Sequence, residues 1–429
     1  MAEIGQVDEL RSLTRLGVDE LRKATGGIGD VHRAIAARAF RASGPGALPA
    51  RTLHDAISNG VYAGLGGAAR VAGLAAANGL GRRAVPDRQL SVTPRGALLL
   101  GVLNGLIGDA LENEGSALQE PISVRAGGTR VALDRDALAV AHPDPGGRLV
   151  VFLHGLMETE FSWRLGAGRE GETYATRLRR DLGFTPIEIR YNSGRHISTN
   201  GLSLADLLGE LVAVWPVEVG SLALVGHSMG GLVARSACHQ AGERGDPWVR
   251  RVRHVISLGT PHMGAPLAQG VHWLSAALHA LPETRPFARF LRRRSAGIRD
   301  LRQGSLVDAD WRDCDPDALR AVACREVPLL DGAVHCFVAA TITRGGRDPV
   351  GRLLGDCLVL QPSASGRSRT RRIPFEEEYS AHVGRAHHLA LLNHPRVYER
   401  MRTWLEGDPT SRAPGPGSHP STRAQQRCL

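Results

Sequence analysis

The segment that most limits the folds open to this chain runs from Ser221 to Gly231, an apolar run entering Gly226-His227-Ser228-Met229-Gly230-Gly231. Leu222, Ala223, Leu224 and Val225 read as a buried parallel strand, and Leu232, Val233 and Ala234 begin a helix. A serine at such a strand-to-helix turn is forced outward on a strained backbone, and a Cβ at either flanking glycine would collide with the neighbouring strand or helix. Ser228 is therefore the candidate attacking group. With 52 glycines in 429 residues, the same pattern also suits a glycine-flanked turn carrying a solvated serine. The rest of the chain has to decide.

Strands at 149–153, 185–190, 221–225, 252–258 and 334–341 alternate with helices at 172–182, 202–215 and 230–241. Such alternation implies an α/β fold with a mostly parallel sheet and helices on both faces. Residues 121–147 read as a hairpin and linker, with Gly127-Gly128 at the bend and a turn at 143–147. The catalytic unit then occupies 148–406. Its interval of about 268–330 is too long for one crossover helix and is expected to form a helical cap, with Trp273, Leu274, Leu278, Phe287 and Phe290 as apolar side chains. The Pro-, Ser-, Gly- and Arg-rich tail, 407–429, is expected to be disordered.

Residues 1–120 form an Ala/Gly-rich helical region containing Gly60-x-x-x-Gly64 and Gly101-x-x-x-Gly105. Small residues four apart let two helix backbones approach closely. Arg70 and Asn78 interrupt the first stretch, and Asn104 and Asp109 the second, so neither reads as a spanning helix. A close-packed helical pair capping the enzyme is the expected arrangement; peripheral membrane contact and self-association stay open, and the sequence leaves the oligomeric state undetermined.

The formal net charge is +10, and Lys23 is the only lysine, so arginine carries nearly all of the positive charge. Aromatic residues make up 4% and do not interleave with the short arginine runs, which argues against base-stacking platforms and a nucleic-acid partner. Attraction to an anionic membrane surface fits the charge better. The six cysteines lack metal-ligand spacing. The N-terminal residues are acidic and lack the apolar core of a signal peptide, making the cytoplasm the expected compartment.

Acyl transfer needs a nucleophile, a base, a group that orients the base, and donors for the oxyanion. On this architecture the chain order is serine, acid, histidine. Asp356, in a small-residue turn after the 334–341 strand, is the preferred acid, with Asp348 as the alternative. Of the histidines crowded at 387–394, His388 stands immediately before an apolar turn and is the preferred base; His387 and His394 suit surface or capping positions. The oxyanion donors should be the backbone N–H of Met229 and of Leu156, the latter freed by a sharp turn at Gly155. His154 reads as structural and His227 as a residue behind the site.

From about Val150 to Leu405 the chain resembles the lipase/esterase branch of the α/β-hydrolase superfamily, and within it the PGAP1-like (GPI inositol-deacylase-like) group and bacterial triacylglycerol lipases. The resemblance rests on Leu153-His-Gly-Leu156, Gly226-His-Ser-Met-Gly-Gly231, Leu258-Gly-Thr-Pro-His-Met-Gly-Ala-Pro266, Gly355-Asp-Cys-Leu-Val359 and His388-Leu-Ala-Leu-Leu392. It implies an α/β-hydrolase fold, Ser228, Asp356 and His388 as the triad, and Leu156 and Met229 as the oxyanion hole. His262 would line the site beside His154, Gly155 and His227. Cys357 departs from the group, which often has glycine there. The first 120 residues match nothing in it.

The expected activity is a serine hydrolase acting on an acyl or lipid ester, without metal or organic cofactor. An acyltransferase or thioesterase would use the same residues. A non-catalytic scaffold that binds a membrane or partner is the contrasting reading.

Overall fold

In this computed structural model the described residues are 8–9, 11–17, 52, 55, 89–265, 294–314, 324–344, 355–368 and 371–407. The stretch at 56–81, the apolar cap residues named above, Asp348 and the tail from 408 onward lie outside them.

Eight strands form one sheet: β1 (Ser123–Ala126), β2 (Thr129–Arg130), β3 (Arg148–Leu153), β4 (Thr185–Arg190), β5 (Ser221–His227), β6 (Val252–Leu258), β7 (Val334–Thr341) and β8 (Ser380–Gly384). Their spatial order is β2-β1-β4-β3-β5-β6-β7-β8. All neighbours from β4 to β8 are parallel, whereas β1 pairs antiparallel with both β2 and β4. The main helices are α1 (Pro94–Asn113), α2 (Tyr174–Leu182), α3 (Ile197–Val214), α4 (Met229–Arg244) and α5 (Pro395–Glu406).

Residues 149–153 of β3 and 222–225 of β5 are apolar without interruption because both faces of the sheet are covered there, and successive side chains point to opposite faces. In β5, Leu222 and Leu224 join one core while Ala223 and Val225 join the other. The first core holds Leu204, Leu208 and Leu211 of α3 with Leu232, Val233 and Ala237 of α4. The second holds Tyr174 and Leu178 of α2 with Val397, Tyr398, Met401, Trp404 and Leu405 of α5, spaced as one face of a helix. Helix α3 is the one described helix long and apolar enough to cross a bilayer, and half of it is buried within the protein. Its apolar face belongs to the core.

Two features differ from the sequence expectation. The strand leading toward the histidines is β8, which the sequence expectation lacked; the segment around 371–375 makes only a single bridge through Arg372. Pro374 removes a ladder donor there, and Ile373 and Phe375 pack against Phe337 instead. The small residues of α1 meet loops of the sheet: a Cβ on Gly101 would stand 2.9 Å from the Glu158 carbonyl oxygen and the Thr159 Cγ2, and one on Gly105 would overlap Met157.

Strand order reverses at β3, with β4 on one side and β5 on the other. The carboxyl end of a parallel sheet at such a switch point opens a crevice for ligands. The loops after β3 and β5 meet there.

Candidate active site

Ser228 follows β5 directly and precedes α4, with φ 52° and ψ −119°. A non-glycine residue held in this region costs on the order of 1–3 kcal/mol. The strain is sustained by a hydrogen bond from the Ser228 N–H to the Leu258 carbonyl (2.8 Å) and by the glycines on either side. A Cβ on Gly230 would approach the His154 carbonyl oxygen to 2.7 Å, and one on Gly226 would overlap the first turn of α4. The loop after β3 lies over the serine, since a Cβ on Gly155 would be 3.1 Å from that of Ser228.

Asp356 sits at the turn Gly355–Val359, almost wholly buried. Its Oδ1 accepts from the N–H groups of Leu358 (3.0 Å) and Val359 (2.7 Å), and its Oδ2 accepts from His388 Nδ1 (2.7 Å). The backbone agrees, because the His388 N–H donates to the Asp356 carbonyl at 3.0 Å. A carboxylate only accepts, so Nδ1 carries the proton and Nε2 presents a lone pair. The buried Nε2 has no partner among the described residues. Cys357 takes φ 83°, a left-handed conformation that glycine adopts at lower cost.

Ser228 and His388 line one cavity of about 1680 Å3. Leu156, Met157 and Glu158 contribute from the β3 loop, and Leu358, Val359 and Leu389 from the acid and histidine turns. The N–H groups of Leu156 and Met229 find no acceptor among the described residues. Met229 opens α4, so its N–H lies at the positive end of a helix, where an anion is favoured.

Glu158 was not singled out by any sequence motif. Its carboxylate accepts from the Gly155 N–H (2.8 Å) and from His227 Nδ1 (2.9 Å), tying the loop after β3 to the last residue of β5. Burial pushes His227 down, but the carboxylate outweighs it and holds the imidazole above its ordinary value. Burial likewise pushes Glu158 up, and His227 outweighs it, leaving the carboxyl below its ordinary value.

Of the four residues expected to line the site, Gly155 lies directly over Ser228, whereas His154, His227 and His262 are buried behind the cavity wall. His227 points inward, toward Glu158, because strand side chains alternate and Ser228 takes the outward position. His154 stacks on Tyr191, donates through Nδ1 to the Gly155 carbonyl (2.8 Å) and accepts through Nε2 from the Tyr191 N–H (3.2 Å). His262 is buried against Phe375 and Arg235, and burial followed by that arginine keeps it well below the ordinary imidazole value. His387 is exposed, and His394 caps α5 by accepting from the Arg396 N–H at 3.2 Å.

Residues 144–284 match the family described as the PGAP1-like alpha/beta domain. The matched segment contains Ser228, Leu156, Met229, Glu158 and His227; Asp356, His388 and α1 lie outside it. The sheet order and the strand–serine–helix turn place the chain in the α/β-hydrolase fold. Among solved structures it is similar to a Bacillus licheniformis lipase in its propeptide form, at 21% identity and a TM-score of 0.41 over 61% of this chain. The chain spans about half of that lipase, 51%. It is similar also to a Pyrobaculum calidifontis esterase, at 16% identity and a TM-score of 0.35 over 75% of this chain and 92% of the esterase. A Bacillus megaterium epoxide hydrolase is similar at 13% identity and a TM-score of 0.34, over 61% of this chain and 95% of its own. No curated protein matches the chain.

Proposed function

We propose that the protein is a serine hydrolase that cleaves acyl esters through an acyl-enzyme on Ser228. The observation that carries this reading is the buried Asp356–His388 hydrogen bond of 2.7 Å, which leaves Nε2 unpartnered on a histidine that lines the same cavity as Ser228. In the first step Ser228 Oγ attacks the ester carbonyl carbon and its proton passes to His388 Nε2. The carbonyl oxygen becomes an oxyanion and takes the N–H groups of Leu156 and Met229, each worth about 3 kcal/mol in the transition state. Asp356 keeps the imidazole in the required tautomer and stabilises the imidazolium. That imidazolium gives its proton to the departing alkoxide, and the alcohol leaves. A water then attacks the acyl-enzyme, loses its proton to His388, and releases the acid as Ser228 recovers its hydrogen.

A fluorophosphonate probe tests the reading. The folded wild type should be labelled and Ser228→Ala should not, while Asp356→Asn and His388→Ala should lower ester turnover by about 10³–10⁴. A folded wild type that neither takes the label nor turns over esters would sink it.

A further inference from the structure

The cavity beside Ser228 has apolar walls of two different origins. Its most exposed leucines are Leu98, Leu99 and Leu106 of α1, Leu165, and Leu358 and Leu389 next to the acid and the histidine. Exposed apolar side chains gathered around one concave site mark a surface meant for an apolar ligand rather than for water. Nothing in the matched 144–284 segment accounts for the α1 side, because α1 precedes it.

The reaction geometry assigns the two walls. Resting on the Ser228–His388 reading above, the ester carbonyl has three substituents to place. Its oxygen goes to the Leu156 and Met229 N–H groups, and its leaving oxygen must face His388 Nε2. The acyl carbon takes the remaining direction. Leu358 and Leu389 flank the proton donor: Leu358 donates to Asp356, and Leu389 follows His388 in sequence. Helix α1 instead lies against the oxyanion loop, with Gly101 facing Glu158 and Thr159 and Gly105 facing Met157. Leu99, Leu103 and Leu106 share one face of α1, at i, i+4 and i+7. From Leu99 to Leu106 that stripe runs about 10 Å, comparable to a medium-length acyl chain.

We propose that the acyl chain of the ester lies along the leucine face of α1, while the alcohol lies against Leu358 and Leu389. Helix α1, from a region with no assigned role, then sets acyl-chain specificity.

The test uses the full chain and two ester series, nitrophenyl esters from acetate to decanoate and alkyl acetates from ethyl to octyl. The paired change Leu99→Gln with Leu106→Gln alters half-exposed side chains, and a thermal melt confirms folding. That variant should lower the decanoate-to-acetate ratio of kcat/KM by about tenfold or more, while moving the octyl-to-ethyl ratio by less than about twofold. Leu389→Gln should do the reverse. An active α1 variant whose acyl ratio is unchanged, or whose alcohol ratio moves instead, overturns the placement but leaves the serine hydrolase intact. Equal turnover by wild type and Ser228→Ala overturns the hydrolase reading itself.

Discussion

Glu158 illustrates what one side chain does from behind a reacting group. It holds the Gly155 N–H on one oxygen edge and His227 through the other contact, so the loop carrying Leu156 is tied to the strand carrying Ser228. Glu158→Gln keeps the shape and removes the charge. Breaking such a buried pair costs about 3 kcal/mol, and a loosened oxyanion loop should lower kcat about tenfold with little change in KM. The pH dependence has two edges. Glu158 sits below its ordinary value of 4.5, so its contribution is present above that value and lost as pH falls through the lower folded one. His227 sits above its ordinary 6.5, so its contribution is full below 6.5 and lost as pH rises through the folded value. Thermal melts should therefore show the largest gap between wild type and variant from 4.5 to 6.5, narrowing on both sides. A gap that does not vary with pH would exclude the charge pair.

The sequence singled out Ser228, Asp356 and His388 as candidates because each lies in a short local pattern of glycine or apolar neighbours. Glu158 carries no such pattern. Its role arises from a contact 69 residues along the chain, and a carboxylate two residues after Leu156 has nothing local to mark it. His154 read as structural and His227 as a residue behind the site, while His262 entered through the resemblance alone; His154 stacks on Tyr191, His227 turns toward Glu158 and His262 packs against Phe375.

Among the elements, legibility followed burial. Strands β3 and β5 are apolar on both faces, and β6 and β7 are buried along nearly their whole length, whereas β8 buries only Val383. Strand β4 is mixed: Ile187 and Ile189 enter the core, while Glu188 and Arg190 share the other face. Arg190 is wholly buried, donating to Glu160 at 2.6 Å and to Glu120 at 3.0 Å. This ties β4 to the turn after β3 and to the chain entering β1. Glu188 has no such hydrogen-bonded partner among the described residues, and burial, with Glu160 nearby, pushes its carboxyl up to about 7 from 4.5. The folded state then binds the proton more tightly than the unfolded chain, so Glu188 lowers stability as pH rises from 4.5 to about 7. Glu188→Gln should remove that slope. Its melting temperature should exceed that of the wild type above neutral pH and converge with it in acid; parallel curves would refute the assignment.

At the scale of the molecule, α1 belongs to the fold that carries the site. Asn104 donates to the Leu118 carbonyl at 2.8 Å and accepts from the Glu120 N–H at 3.0 Å, Asn192 donates to the Gly108 carbonyl at 2.8 Å, and Leu100 and Leu111 are buried with Leu118. A chain beginning at residue 115 should lose about 4 kcal/mol from Leu100 and Leu111 alone, read as a lower denaturant midpoint. A midpoint equal to that of the full chain would show α1 to be an accessory. This docking was hidden in the sequence, where Gly101-x-x-x-Gly105 suggested a partner helix. The close approach needs only small residues, and the partner proved to be a loop.

The grip on α1 has a second half. Ser295 donates to the Gly105 carbonyl at 2.6 Å, and the Ala296 N–H donates to Asp109 at 3.0 Å, contacts spanning 190 and 187 residues. During synthesis at about 5–20 residues per second, roughly 10–40 seconds separate the appearance of α1 from that of its late partners. Its polar contacts with them must wait while the sheet is made. The helix is translated before the sheet and completes its docking after it.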